Sequence, residues 1–169
     1  LPQDKTIAVI NVGATLASLN IIAAGVSAFT REIASGGNVI TEEIQKQLNI
    51  SAEEAEALKV GGHGETDAVV PQEVERVIQG VADQMGGEIQ RSLDFHAATA
   101  PDVHPTRVYL SGGTSRIPAL FKVIEQRAGV PVEILNPFKN IEVDNRKFDP
   151  AVIMNAAPAA AVAVGLALR

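Results

Sequence analysis

Apolar positions in the first part of the chain fall into short β-branched runs. Ile7–Val12, 16–24 and Val26–Ile33 are separated by Gly13-Ala14-Thr15 and by Gly25. Short runs punctuated by glycine predict three strands in an antiparallel meander. Gly36-Gly37 ends that pattern, and from Asn38 the period changes. Ile40, Ile44 and Leu48 recur every fourth residue, the stripe of an amphipathic helix, with Glu42 and Glu43 expected near its positive N-terminus. Ser51 and Glu54 have capping-box spacing and open a second, short helix carrying Ala55, Leu58 and Lys59. Residues 60–67 read as a flexible connection. A longer helix is predicted over 72–93, burying Val74, Val77, Ile78, Val81, Met85 and Ile89. Gly80, Gly86 and Gly87 weaken it, each by about 1 kcal/mol relative to alanine.

Residues 96–105 read as a loop. A buried strand at 107–111 then runs through Gly112-Gly113 into a helix at 117–128, and a further strand follows at 132–135. That order predicts a strand-helix-strand unit with parallel pairing. Residues 136–150 are irregular, and Pro158 occupies the first position of a helix over 158–169. The alanine-rich tract 151–168 contains Asn155 and Pro158 and reads as a packed helix, not a membrane span. The fold class is α/β: a mixed sheet whose antiparallel meander is extended by parallel strand-helix units, with helices on its faces.

Composition narrows the partners. The 169 residues are 46% hydrophobic and 20% charged, as in an ordinary globular domain with one core. A formal net charge of -6 argues against nucleic acid, whose phosphates require a basic face. The lack of cysteine excludes disulfides and thiolate metal sites and suits a cytoplasmic protein. The chain opens at Leu1-Pro2 without Met and shows no basic-then-apolar leader, so its ends are not expected to be natural ones. No metal role is expected for His63, His96 or His104, which are placed in loops without converging ligands.

Two glycine turns could carry chemistry. In Asn11-Val12-Gly13-Ala14-Thr15, a tight turn after a buried strand can aim backbone N–H groups at a phosphate, with Thr15 adding a hydroxyl. Asn11 could orient a hydrated cation, although the same residues also make a plain hairpin turn. In Ser111-Gly112-Gly113-Thr114-Ser115-Arg116, the glycines clear space at a strand's C-terminal end, and Arg116 could stack on a base. The alternative there is a strand-helix turn with a solvated arginine. Glu56 and Lys59 share a helical face and, on spacing alone, read as a surface ion pair.

The stretch Val9-Ile10-Asn11-Val12-Gly13-Ala14-Thr15 resembles the second phosphate motif of the actin, Hsp70 and sugar-kinase superfamily. The stretch from Val108 to Pro118 resembles its adenosine motif, and Ala161-Val162-Ala163-Val164-Gly165-Leu166-Ala167 its small-residue connecting helix. Their order implies the C-terminal lobe of an actin-like (ribonuclease H-like) ATPase fold over 1–169. A small helical insertion is expected at about 38–95, and a connecting helix at 158–169 returning toward an N-terminal lobe. Within the superfamily the chain is most similar to the PilM family of type IV pilus assembly. The similarity lies in the stretch from Arg31 to Thr41, in Ala55-Glu56-Ala57-Leu58-Lys59, in Asn136-Pro137-Phe138 and in the Val-Gly-Leu-Ala-Leu-Arg terminus. FtsA, the cell-division relative, shares the double glycine and the Ala-Glu-x-x-Lys pattern.

The resemblance implies ATP and Mg²⁺ as ligands, the cation held through water and phosphates. Gly13, Ala14 and Thr15 would face the phosphates, with Asn11 near the cation, and Gly36 and Gly37 would line the cleft. Glu56 and Lys59 would reach the ribose or base, and Gly112, Gly113, Thr114 and Arg116 the adenosine. Relatives carry aspartate at Asn11 and, in the Hsp70-like form, an acidic residue near Ala159, so binding is implied more strongly than hydrolysis. The family further implies a cytoplasmic scaffold on the inner face of the membrane, contacting it only through partners. Those partners would be the PilN N-terminal peptide and the pilus motor ATPases, with a ring of like subunits. The rival readings are an FtsA-like filament protein and an actin-superfamily ATPase or kinase.

Overall fold

A computed structural model describes residues 5–61, 71–144 and 146–168 of the chain. Most of the expected 60–67 connection, His63 included, lies outside the described residues. The first strands are β1 (Ile7–Val12), β2 (Ala17–Ala23) and β3 (Val26–Ile33), joined as an antiparallel meander. The later strands β4 (Val108–Ser111) and β5 (Val132–Ile134) run parallel to each other, and β4 runs parallel to β1. One five-stranded sheet results, in the order β3-β2-β1-β4-β5. The expected mixed α/β sheet is present.

β1 sits at the centre because its residues can be buried against neighbours on both edges. Ile10 pairs with Leu19 on one side and Leu110 on the other, and Ala8 lies between Ile21 and Val108. All of these are buried. The helices α1 (Gly37–Leu48), α3 (Gln72–Thr99) and α4 (Pro118–Ala128) complete this core. They supply Ile40 and Ile44, then Val74, Ile78, Met85 and Ile89, then Leu120, Val123 and Ile124. Each such side chain contributes about 1.5–3 kcal/mol of transfer free energy on burial. Between them, α2 (Ala52–Gly61) packs on α1 and opens with the expected capping box. The Ser51 N–H donates to Glu54 Oε2 at 2.9 Å, and the Glu54 N–H donates to Ser51 Oγ at 3.2 Å.

Three local expectations are corrected. Helix α3 does not stop near residue 93 but runs to Thr99, carrying His96 into the interior. His96 is 3% exposed, its Nε2 lies 2.8 Å from the Val103 carbonyl, and its ring packs on Phe29 of β3. Those contacts hold the last turns in register. Glu42 and Glu43 lie beyond the first turn of α1, because that helix starts at Gly37, earlier than the apolar stripe suggests. The tract 151–168 is not one packed helix: α5 (Pro150–Ala156) and α6 (Ala161–Ala167) meet at 101°. Pro158 has no N–H, and its ring would clash with the carbonyl one turn back, so the helix cannot run through it. Residues 157–160 form turns, so the second helix opens at Ala161 rather than at Pro158, and Val152, Met154, Val162 and Leu166 stay exposed. Among the described residues no single helix is long and apolar enough to cross a membrane.

Gly86 is the point where α4 approaches α3. A Cβ there would overlap the buried Val123 Cγ1, whereas one on Gly80 would meet nothing within 4 Å. Gly80→Ala should therefore stabilise by up to about 1 kcal/mol through helix propensity. Gly86→Ala gains the same propensity but forces an over-packed contact costing about 1–3 kcal/mol, so it should destabilise. Urea unfolding of both variants checks the opposite signs.

Candidate functional site

The two glycine turns meet. After β1, the Gly13 N–H donates to the Leu16 carbonyl at 3.0 Å and closes the hairpin. The carbonyls of that turn point toward α1: the Gly37 N–H donates to the Gly13 oxygen at 3.0 Å, and the Asn38 N–H to the Ala14 oxygen at 2.7 Å. The Thr114 hydroxyl donates to the same Gly13 oxygen at 2.9 Å. Three chain segments, remote in sequence, thus converge on one carbonyl.

Such convergence requires glycine. A Cβ on Gly36 would lie 2.5 Å from the Ala14 oxygen and 2.8 Å from the Gly13 oxygen. Gly112 adopts φ +88°, and a Cβ there would overlap the Val12 backbone. Neither obstruction is a flexible side chain that could move aside. The left-handed turn at Gly112 also directs its N–H to the Pro158 carbonyl at 2.7 Å, anchoring the α5–α6 corner beside the site.

Beside this junction lies a cleft of about 380 Å³, lined by Ala14, Gly37, Asn38, Glu56, Lys59, Val60, Gly113, Thr114, Arg116 and Ile117. Of the residues expected from sequence, Ala14, Gly37, Glu56, Lys59, Gly113, Thr114 and Arg116 are brought to its wall. Gly13, Gly36 and Gly112 form the backbone junction behind it. Asn11 stands below the turn, its Oδ1 accepting from the buried Ser111 hydroxyl at 3.2 Å. Thr15 is exposed at the tip of the turn and does not line the cleft. Arg116 is exposed on the rim, and no carboxylate pairs with it among the described residues. Sequence reasoning passed over Asn38, Val60 and Ile117, whose side chains carry no distinctive pattern, although Asn38 directly follows the double glycine.

Glu56 and Lys59 are more than a surface pair. Lys59 is 8% exposed, and its ammonium donates to Glu56 Oε2 at 2.6 Å, Thr41 Oγ1 at 2.9 Å and the Gly37 carbonyl at 3.3 Å. All three of its donors are thereby used. The Thr41 hydroxyl in turn donates to Glu56 Oε2 at 2.7 Å. Burial pushes the Glu56 carboxyl upward, but the hydrogen bonds from Lys59 and Thr41 and the lysine charge outweigh it and hold the group below its ordinary value. Among the described residues nothing donates to Glu56 Oε1. The outer wall of the cleft thus presents an ionised acceptor.

A nucleotide fits these groups. The glycine-lined floor has no Cβ to exclude it, the Arg116 guanidinium and apolar Val60 and Ile117 suit a base, and Glu56 suits a hydroxyl donor. The first N–H groups of α1 are spent on Gly13, Ala14 and Gly36 carbonyls, so anion contacts fall to the exposed turn itself. Among the described residues no cluster of three or more His, Asp or Glu could hold a metal directly. A divalent cation there would be held through phosphates and water.

Sheet order and junction together define one lobe of an actin-like α/β fold. The family model for type IV pilus assembly protein PilM matches residues 1–169. The chain belongs to that family. Among solved structures, it matches the PilM-PilN type IV pilus biogenesis complex at 28% identity and a TM-score of 0.85, over 99% of this chain and 46% of that one. The ethanolamine utilization protein EutJ from Carboxydothermus hydrogenoformans matches at 20% identity and a TM-score of 0.65, over 97% of this chain and 49% of that one. MreB5 of Spiroplasma citri bound to AMPPNP matches at 14% identity and 0.66, over 98% of this chain and 52% of that one. These last two share the fold. The chain spans about half the length of the solved chains it matches.

The depressed Glu56 carboxyl has a pH consequence. Its contribution to stability is complete above the ordinary glutamate value of about 4.3 and is lost as pH falls through the lower folded value. Protonation then leaves the buried Lys59 without its counter-charge. Urea midpoints should fall more steeply between pH 5 and pH 3, as rough bounds, in the native sequence than in Glu56→Gln. Parallel pH profiles for the two proteins would exclude this role.

Proposed function

We propose that this chain forms the C-terminal half of an ATP-binding scaffold in the type IV pilus machine. The carrying observation is the junction at Gly13, where the turn after β1 and the turn after β4 meet beside a cleft with an ionised glutamate on its outer wall. Family membership supports the pilus assignment. In this reading the N–H groups of Ala14 and Thr15 meet the phosphates, the Gly13 backbone holds their turn in place, and Asn11 orients the hydrated Mg²⁺ that neutralises them. Gly37 leaves the floor open, Gly113, Thr114 and Arg116 hold the adenosine, and Gly36 and Gly112 support them from the junction behind. Glu56 meets the ribose, with Lys59 behind it. Asn11 supplies no carboxylate to act as a base, so the nucleotide acts chiefly as a ligand that biases lobe closure.

The PilN partner of the matched complex supports a second part of the reading. The full-length protein binds the cytoplasmic N-terminal peptide of PilN, joins a ring of like subunits at the inner face of the cytoplasmic membrane, and communicates with the motor ATPases.

Calorimetric titration of ATP with Mg²⁺ into the full-length protein should give saturable binding, with Gly113→Val weakening it by at least about tenfold through occlusion of the cleft, a loss of about 1.4 kcal/mol. Unchanged affinity in that variant would remove the cleft from the reading. A pull-down with the PilN peptide should retain the full-length protein, and clean absence of retention would reject the partner assignment.

A further inference from the structure

We infer that Thr41 is the positioning residue that gives the cleft its selectivity for a ligand bearing free hydroxyls. The inference rests on the nucleotide-binding reading and deepens it. Thr41 is 8% exposed, lies one turn into α1 and does not line the cleft. Its hydroxyl oxygen accepts from Lys59 at 2.9 Å and donates to Glu56 Oε2 at 2.7 Å, so one atom ties the buried ammonium to the carboxylate. The same lysine donates to the Gly37 carbonyl at 3.3 Å, which links the pair to the glycine junction.

This arrangement divides labour within the acidic–basic pair. Lys59 has no donor left for a ligand. Glu56 has one oxygen fully engaged by Thr41 and Lys59, while Oε1 receives no donor among the described residues. A carboxylate only accepts, so the group it recognises must donate: a vicinal diol fits, and an anionic group at that wall is repelled. A free glutamate on the exposed face of α2 would sample many rotamers and lose much of that preference to ordering entropy. Lys59 holds Oε2 through one contact, and the Thr41 hydroxyl adds the second that fixes the rotamer. The phosphate end of the ligand is accordingly directed away from Glu56, toward the turn at Ala14.

The test compares ATP with 2′,3′-dideoxy-ATP on the full-length protein, on Thr41→Val and on Thr41→Ser. The native protein should prefer ATP by about tenfold or more, as expected for a charge-assisted hydrogen bond. Thr41→Val, which keeps the shape but not the hydroxyl, should lose most of that preference while binding the dideoxy nucleotide unchanged. Thr41→Ser should restore it. Circular-dichroism melts establish that each variant is folded; should Thr41→Val fail to fold, the Thr41→Ala protein carries the same comparison. Native binding without hydroxyl preference overturns this inference and leaves the nucleotide reading standing. A preference unchanged in Thr41→Val also overturns it. No binding of either nucleotide by the native protein removes both.

Discussion

The Gly13 carbonyl oxygen accepts from the Gly37 N–H and the Thr114 hydroxyl at once, and the rest of the molecule is arranged so that it can. A partly buried carbonyl is best satisfied by protein donors, and here both come from distant parts of the chain. Gly37 opens α1, and Thr114 follows β4, so the meander, the helical segment and the parallel unit are locked at one oxygen. The cost is steric. Gly36 and Gly112 cannot carry side chains where their neighbours are backbone atoms only a few ångströms away. A cleft beside such a junction is unusually rigid on its floor, since each of its turns is held by the other two.

Rigidity at the floor contrasts with the outer wall. That wall is the short helix α2, which touches the remainder of the chain mainly through α1. Its attachment is polar as well as apolar: Ala55 is buried, and Lys59 reaches across to Thr41 and Gly37. A buried lysine is costly unless paired and fully hydrogen-bonded, and with Glu56 half exposed to water this pair is worth less than a fully buried one. All three lysine donors are satisfied, so the ion pair sets where α2 stands relative to the junction. Through it, the position of the Glu56 carboxylate on the cleft wall is coupled to the same glycine turns that form the floor.

The sites legible in sequence were those whose chemistry is local. Gly13-Ala14-Thr15 and Gly112-Gly113 stood out because a glycine turn after a buried run has few physical explanations, and both lie at the junction. Ser51 and Glu54 announced a helix start that formed as expected. Thr41 was silent. Its importance arises only once α1 and α2 pack together, because its partner Lys59 is 18 residues away. Thr15, prominent in the motif, stands at the tip instead of on the wall, since the turn's carbonyls are committed to α1.

Hydrophobic periodicity and glycine placement by themselves determined the strand meander, the helix types and the parallel unit, because those depend on neighbours a few residues apart. The tertiary structure alone decided where α3 ends, since His96 is held by Phe29 and Val103 rather than by any local signal. The break at Pro158 is local, set by its missing N–H and its ring, and the tertiary structure adds the Gly112 N–H that fixes the corner through the Pro158 carbonyl. Above all, it turned an apparent surface pair into a network with a buried lysine and threonine behind a half-exposed glutamate, because desolvation and long-range hydrogen bonds exist only after remote segments have met.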